Sequence, residues 1–111
     1  RFDFAAPGEY STIIMTHVLE HIPDAAAALE KILSSAGRLK IGRVVVIVPC
    51  RKGFAFDGTH KVLVDRKYLE TYGLMDGGAF RVSELRYFPL NMLPAGDIFT
   101  YQEMHVVFVT P

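Results

Sequence analysis

The chain has 111 residues, half of them hydrophobic, which suits one small domain with a packed core and not two. Its 12 basic and 12 acidic residues cancel, so bulk charge marks neither a nucleic-acid partner nor an anionic membrane surface. The single cysteine, Cys50, closes no internal disulfide and fits a reducing cytosol, no apolar stretch approaches the length of about 20 residues needed to span a bilayer, and no basic-then-apolar signal segment opens the chain.

The chain opens on Arg1 with almost no lead-in to its first strand pattern, as a fragment, a processed chain or a trimmed one would. Pro7-Gly8 is turn chemistry. Ser11 to Thr16 is short, β-branched and apolar at its centre, which predicts a strand buried on both faces of a parallel sheet. Pro23-Asp24 opens a helix, because proline is tolerated in a first turn and an aspartate suits the positive end of the dipole. Ala28, Leu29, Ile32 and Leu33 give that helix an apolar stripe, and Gly37 is expected to cap its end. Val44 to Val48 is the strongest strand signal, five branched aliphatics stopped by Pro49, and predicts cover on both faces.

Arg51 to His60 reads as a polar loop of functional length. Asp65 to Tyr72 predicts a short amphipathic helix with Tyr68, Leu69 and Tyr72 on its apolar face and Gly73 as its stop. Phe80 to Phe88 and Met104 to Val109 predict two further strands, with Asn91 to Gln102 as the loop between them. The order strand, helix, strand, helix, strand, strand implies an α/β domain of two βα units followed by a hairpin-like strand pair in a mixed sheet. There is no internal repeat, and residues 1–111 are expected to belong to a single domain.

Several constellations invite chemistry. His17-Val18-Leu19-Glu20-His21 fits the H-x-x-E-H pattern of one zinc peptidase class. That chemistry needs both histidines on one helical face with the glutamate as base. A β-branched strand runs up to Thr16, and Pro23 removes a helical donor just after His21, so this context predicts no metal site; Glu84 and Glu103, the nameable third ligands, fall in or beside strands. Cys50 with His60 has the residue types of a nucleophile and base, but no cysteine signature surrounds it, and a small buried hydrophobe at a strand end is expected. His60, in Asp57-Gly58-Thr59-His60, lies past the C-terminal end of the strongest strand, where sites in open α/β sheets form. There is no glycine-rich phosphate loop, and no basic-aromatic interleaving of the nucleic-acid type.

The words Tyr10, Ile13-Ile14, then His17-Val18-Leu19-Glu20-His21-Ile22-Pro23-Asp24, Ala28-Leu29-Glu30-Lys31-Ile32, Leu39-Lys40-Ile41-Gly42-Arg43, Val45-Val46-Ile47-Val48-Pro49, Thr59-His60 and Tyr72-Gly73-Leu74 resemble, in order and spacing, the class I S-adenosylmethionine-dependent methyltransferases. The resemblance implies a Rossmann-like sheet of seven mostly parallel strands whose last strand is antiparallel to the rest. This chain is similar to the fourth strand onward, and the glycine-rich N-terminal half has no counterpart in it, so the resemblance implies that the domain is a partial one. By the same resemblance, Asp3 would accept from the adenine amine, the Phe4 amide would meet the adenine ring, and Thr16, His17 and Val18 would line the methionine part of S-adenosylmethionine. Methyl transfer depends chiefly on proximity and alignment; His60 is the candidate base where an acceptor needs one.

Ser11 and Arg43 depart from the family's usual aspartate and glycine. The function so implied is cytoplasmic methyl transfer to a small-molecule acceptor, with the fragment alone binding cofactor weakly or not at all. The alternatives are a non-catalytic partner-binding module, dimerising through exposed sheet edges, and a zinc hydrolase acting through His17, Glu20 and His21.

Overall fold

Two β-branched runs pair side by side. Thr12–Thr16 forms β1 and Arg43–Pro49 forms β2; they run parallel, with Thr12 opposite Arg43 and Thr16 opposite Ile47. The computed structural model describes residues 8–76, 78, 80–91, 98 and 101–110, without the Phe56 side chain. Asp3 and Phe4, expected at the adenine, and most of the loop from 91 to 102 lie outside the described residues.

Helix α1, Ala25–Arg38, joins the parallel pair. Its N-cap is Asp24, whose carboxylate accepts from the Ala27 N–H, satisfying one of the first-turn donors that have no partner inside the helix. Ala25, Ala26, Leu29 and Ala36 are buried. Gly37, expected to cap the helix, lies inside it instead. The chain turns at Lys40, which adopts φ 58°. The Lys40 N–H donates to Gly37 and the Ile41 N–H to Ala36. This double closure ends the helix, with buried Ile41 bonding back to buried Ala36.

The segment after β2 is not wholly loop: Arg51–Phe56 forms a short helix, α2, opened by the Phe54 N–H donating to the Cys50 carbonyl. Six residues are too few to show helical periodicity in sequence. Helix α3, Arg66–Thr71, is capped by Asp65, which accepts from the Tyr68 N–H at 2.8 Å. Gly73 closes it at φ 68°. Leu69 is buried and the Tyr68 hydroxyl accepts from the Ala26 N–H, but Tyr72, expected on the apolar face, is 53% exposed.

Strand β3, Arg81–Phe88, carries an irregularity between Val82 and Glu84; β4 is Glu103–Val109. The sheet order is β1-β2-β4-β3, with β4 antiparallel to both neighbours. Period-two alternation puts Val44, Val46 and Val48 of β2 beside Phe108, Val106 and Met104 of β4, all buried. With Leu29, Ala36, Leu69 and Phe80 they form the core. Cover on both faces was expected from the unbroken aliphatic run of β2. Among the described residues the second face is open: Val45, Ile47, Val107 and Val109 are half-buried and Ile14 is 68% exposed. No helix among the described residues is long and apolar enough to cross a membrane.

Candidate functional site

All four histidines of the chain gather at one edge of the sheet, where the parallel strands end and β4 begins. β1 stops at Thr16, and His17 takes φ 56°, a left-handed conformation uncommon for a residue with a side chain. The His17 N–H still donates to Ile47 of β2. The 3₁₀ turn Leu19–His21 follows. Leu19 and Glu20 are buried there, and the Glu20 carbonyl accepts from the Lys61 and Val62 N–H groups at 2.6 and 3.2 Å. The turn is therefore stapled through the Glu20 backbone to the segment after His60. The helical H-x-x-E-H arrangement does not form.

The second wall is the loop after α2. The Thr59 N–H and hydroxyl both donate to one oxygen of Asp57, at 2.9 and 2.8 Å, and these bonds hold the Asp57 carboxyl below its ordinary value. The turn so fixed presents His60, whose Nδ1 lies 2.9 Å from the Phe54 carbonyl. A carbonyl only accepts, so Nδ1 carries a hydrogen, and in the neutral ring Nε2 is left bare. His21 repeats the pattern, with Nδ1 3.2 Å from the Thr59 carbonyl. The two rings meet edge-on at 4.9 Å, and Phe54 stacks on His60 at 5.5 Å.

The Glu20 side chain lies between them. It is 1% exposed, and neither carboxylate oxygen has a hydrogen-bond partner among the described residues. Its Oε2 faces His17 Nδ1 at 3.6 Å, His21 Nε2 at 3.7 Å and His60 Nε2 at 3.9 Å, all beyond hydrogen-bond length. Asp57 Oδ2 stands 3.7 Å from His60 Nε2.

Glu103, the first residue of β4, closes the far side: one oxygen lies 2.5 Å from His17 Nε2 and the other 3.3 Å from His105 Nε2. Buried Gln102 donates to the Leu90 carbonyl and accepts from its N–H, joining the two ends of the loop between β3 and β4. A cleft of about 390 Å³ opens here, lined by His17, Asp57, His60, Phe88, Tyr101 and Glu103 among others.

Of the residues expected to line the cofactor or serve as base, His17 and His60 come together at this cleft. Thr16 and Val18 flank His17 on exposed backbone positions. Cys50 is buried in the core, as expected of a small hydrophobe, and Glu84 pairs with Arg86 on β3. Sequence reasoning missed Glu103 as a partner of His17, His105 beside it, and Gln102. The one available signal was that His105 lies two residues after Glu103 on a strand, and so shares its face. Comparison with protein-family models, with curated proteins and with solved structures finds no match for this chain.

Proposed function

We propose that this chain is the C-terminal part of a Rossmann-like methyltransferase domain, which moves a methyl group from S-adenosylmethionine to a small-molecule acceptor. The placement of β4 carries the reading. A last strand antiparallel to a parallel set is what the resemblance implies, and β4 runs antiparallel to both β2 and β3. Two further features support it. The cleft lies outside the C-terminal ends of parallel strands, where α/β sheets bind ligands. The second sheet face is apolar and open, as a doubly covered sheet would leave it where one helix layer is supplied by other sequence. A single cysteine, buried at Cys50, accords with a cytoplasmic setting.

In this reading Thr16, His17 and Val18 wall the methionine part of the cofactor, and Asp3 and Phe4 meet the adenine. The acceptor enters between Phe88 and Tyr101, whose rings suit a planar or apolar molecule. Transfer is an in-line displacement at the sulfonium methyl, driven by alignment. The bare Nε2 of His60 is directed at Glu20 and Asp57, which suits holding a cation better than taking a proton from the acceptor.

The test is a calorimetric titration of S-adenosylmethionine, and of its demethylated product, into a domain joining this chain to its upstream sequence. Saturable binding is expected; none at millimolar concentration sinks the proposal. The second reading is a non-catalytic module that completes its sheet with a partner. Exposed Ile14 on the edge strand β1 favours it, and concentration-dependent dimerisation without cofactor binding would select it.

A further inference from the structure

A buried carboxylate is tolerated when it is hydrogen-bonded, paired or neutralised; left alone it costs several kcal/mol. Glu20 is 1% exposed, and among the described residues neither of its oxygens has a hydrogen-bond partner. The groups nearest to it do not close a hydrogen bond to it. His21 and His60 each donate Nδ1–H to a backbone carbonyl, of Thr59 and Phe54, and turn Nε2 toward Glu20 Oε2 at 3.7 and 3.9 Å, beyond hydrogen-bond length. In the neutral rings these atoms are lone pairs, and three electron-rich atoms then converge around a gap that suits a cation.

We propose that Glu20, His21 and His60 bind a divalent transition-metal ion of the zinc type. One ligand atom from each lies within 4.8 Å of the others. Donors held about 2 Å from a tetrahedral ion stand about 3.3 Å from one another, so small side-chain rotations close the shell. Two imidazoles and one carboxylate select zinc and its borderline neighbours over magnesium or calcium, which take all-oxygen shells. The Nδ1–H bonds to carbonyls are the outer-shell contacts that orient metal-bound histidines and set their tautomer. His17 Nδ1 lies 3.6 Å from the same Glu20 oxygen and is half exposed. A tetrahedral ion held by three protein donors keeps a fourth position for water or a donor atom of a bound ligand. This trio is distinct from the sequence pattern His17, Glu20, His21: His60 arrives from a separate loop, so neither the helix nor the spacing of that pattern is required. The inference stands independently of methyl transfer.

The test uses the 111-residue chain, stripped of metal with a chelator and titrated separately with Zn²⁺, Co²⁺ and Mg²⁺. One Zn²⁺ per chain is expected, with a visible Co²⁺ absorption that Zn²⁺ abolishes, and no competition from Mg²⁺. Glu20→Gln keeps the shape and removes the charge; it is expected to weaken Zn²⁺ binding about 100-fold or more, while its metal-free thermal unfolding stays at or above that of the parent because the buried charge is gone. His60→Ala is the second ligand variant, and His105→Gln the control that keeps full affinity. Absence of stoichiometric Zn²⁺, affinity unchanged in folded Glu20→Gln, or displacement by Mg²⁺ at equal concentration would each overturn the proposal. Because no methyl donor enters this experiment, its failure is separate from failure of the cofactor titration.

Discussion

His17 Nε2 and Glu103 Oε2 stand 2.5 Å apart, which clamps the end of β1 to the start of β4 across the intervening end of β2. The sheet ladder does not join β1 to β4, so this side-chain contact is a tie the backbone does not provide. His17 is half exposed and Glu103 about a quarter, and solvent screening keeps the worth of such a pair small. A double-mutant cycle with His17→Ala and Glu103→Ala, read by urea denaturation, is expected to give a coupling of about 0.5–1 kcal/mol that shrinks at high salt. Additive single effects would show that the contact ties nothing.

The same residue separates contact from strain. At φ 56° a side chain crowds the backbone, whereas glycine adopts this region freely. His17→Ala loses the Glu103 contact and keeps the strain; His17→Gly loses the contact and relieves it. The glycine variant is therefore expected to be more stable than the alanine variant by about 1 kcal/mol in thermal or urea unfolding. The reverse order would mean that the conformation at His17 costs nothing.

Much of the sheet was legible because its signals are local. Thr12–Thr16 and Arg43–Pro49 announce themselves by β-branching, and Asp24, Asp65 and Gly73 sit where caps belong. What was not legible depends on contacts distant in sequence. The end of α1 is closed by Lys40 and Ile41 bonding back to Gly37 and Ala36, so Gly37 misleads. The open second face cannot be read from Val44 to Val48, since an aliphatic run records the need for cover and not its source. The site is the sharpest case. Glu20 and His21 lie together in the sequence, but their partner His60 reaches them through the turn that Asp57 and Thr59 make, and no spacing rule connects the two segments.

The two Schellman-type helix ends make a controlled comparison. In α3 the N–H groups of Gly73 and Leu74 donate to Glu70 and Leu69; in α1 Lys40 and Ile41 donate in the same way to Gly37 and Ala36. One left-handed position holds glycine and the other lysine, at φ 68° and 58°. Lys40 is exposed, so its side chain offers no packing to lose. Lys40→Gly is expected to raise stability by about 0.5–1 kcal/mol, measured as a higher urea midpoint at unchanged slope. Gly73→Ala is expected to lower it by a similar amount. A destabilised Lys40→Gly would imply that the lysine makes a contact worth more than the strain.

Tyr87 gives the fold a pH dependence of known sign. Burial on β3 raises its phenol above the ordinary value; the thiol of Cys50 and the carboxylate of Asp65 push the same way, and Arg66 opposes them. A raised value means that the folded chain keeps this proton at a pH where the unfolded chain has lost it. The stability so contributed is fully present below about pH 10, the ordinary phenol value, and is lost as pH rises through the folded value. Alkaline titration followed by tyrosinate absorbance is expected to show a late step that Tyr87→Phe removes. Denaturant midpoints measured from neutral pH upward are expected to fall less steeply in that variant. An unchanged alkaline slope in Tyr87→Phe would assign the late proton elsewhere and return Tyr87 to a purely packing role against Met104.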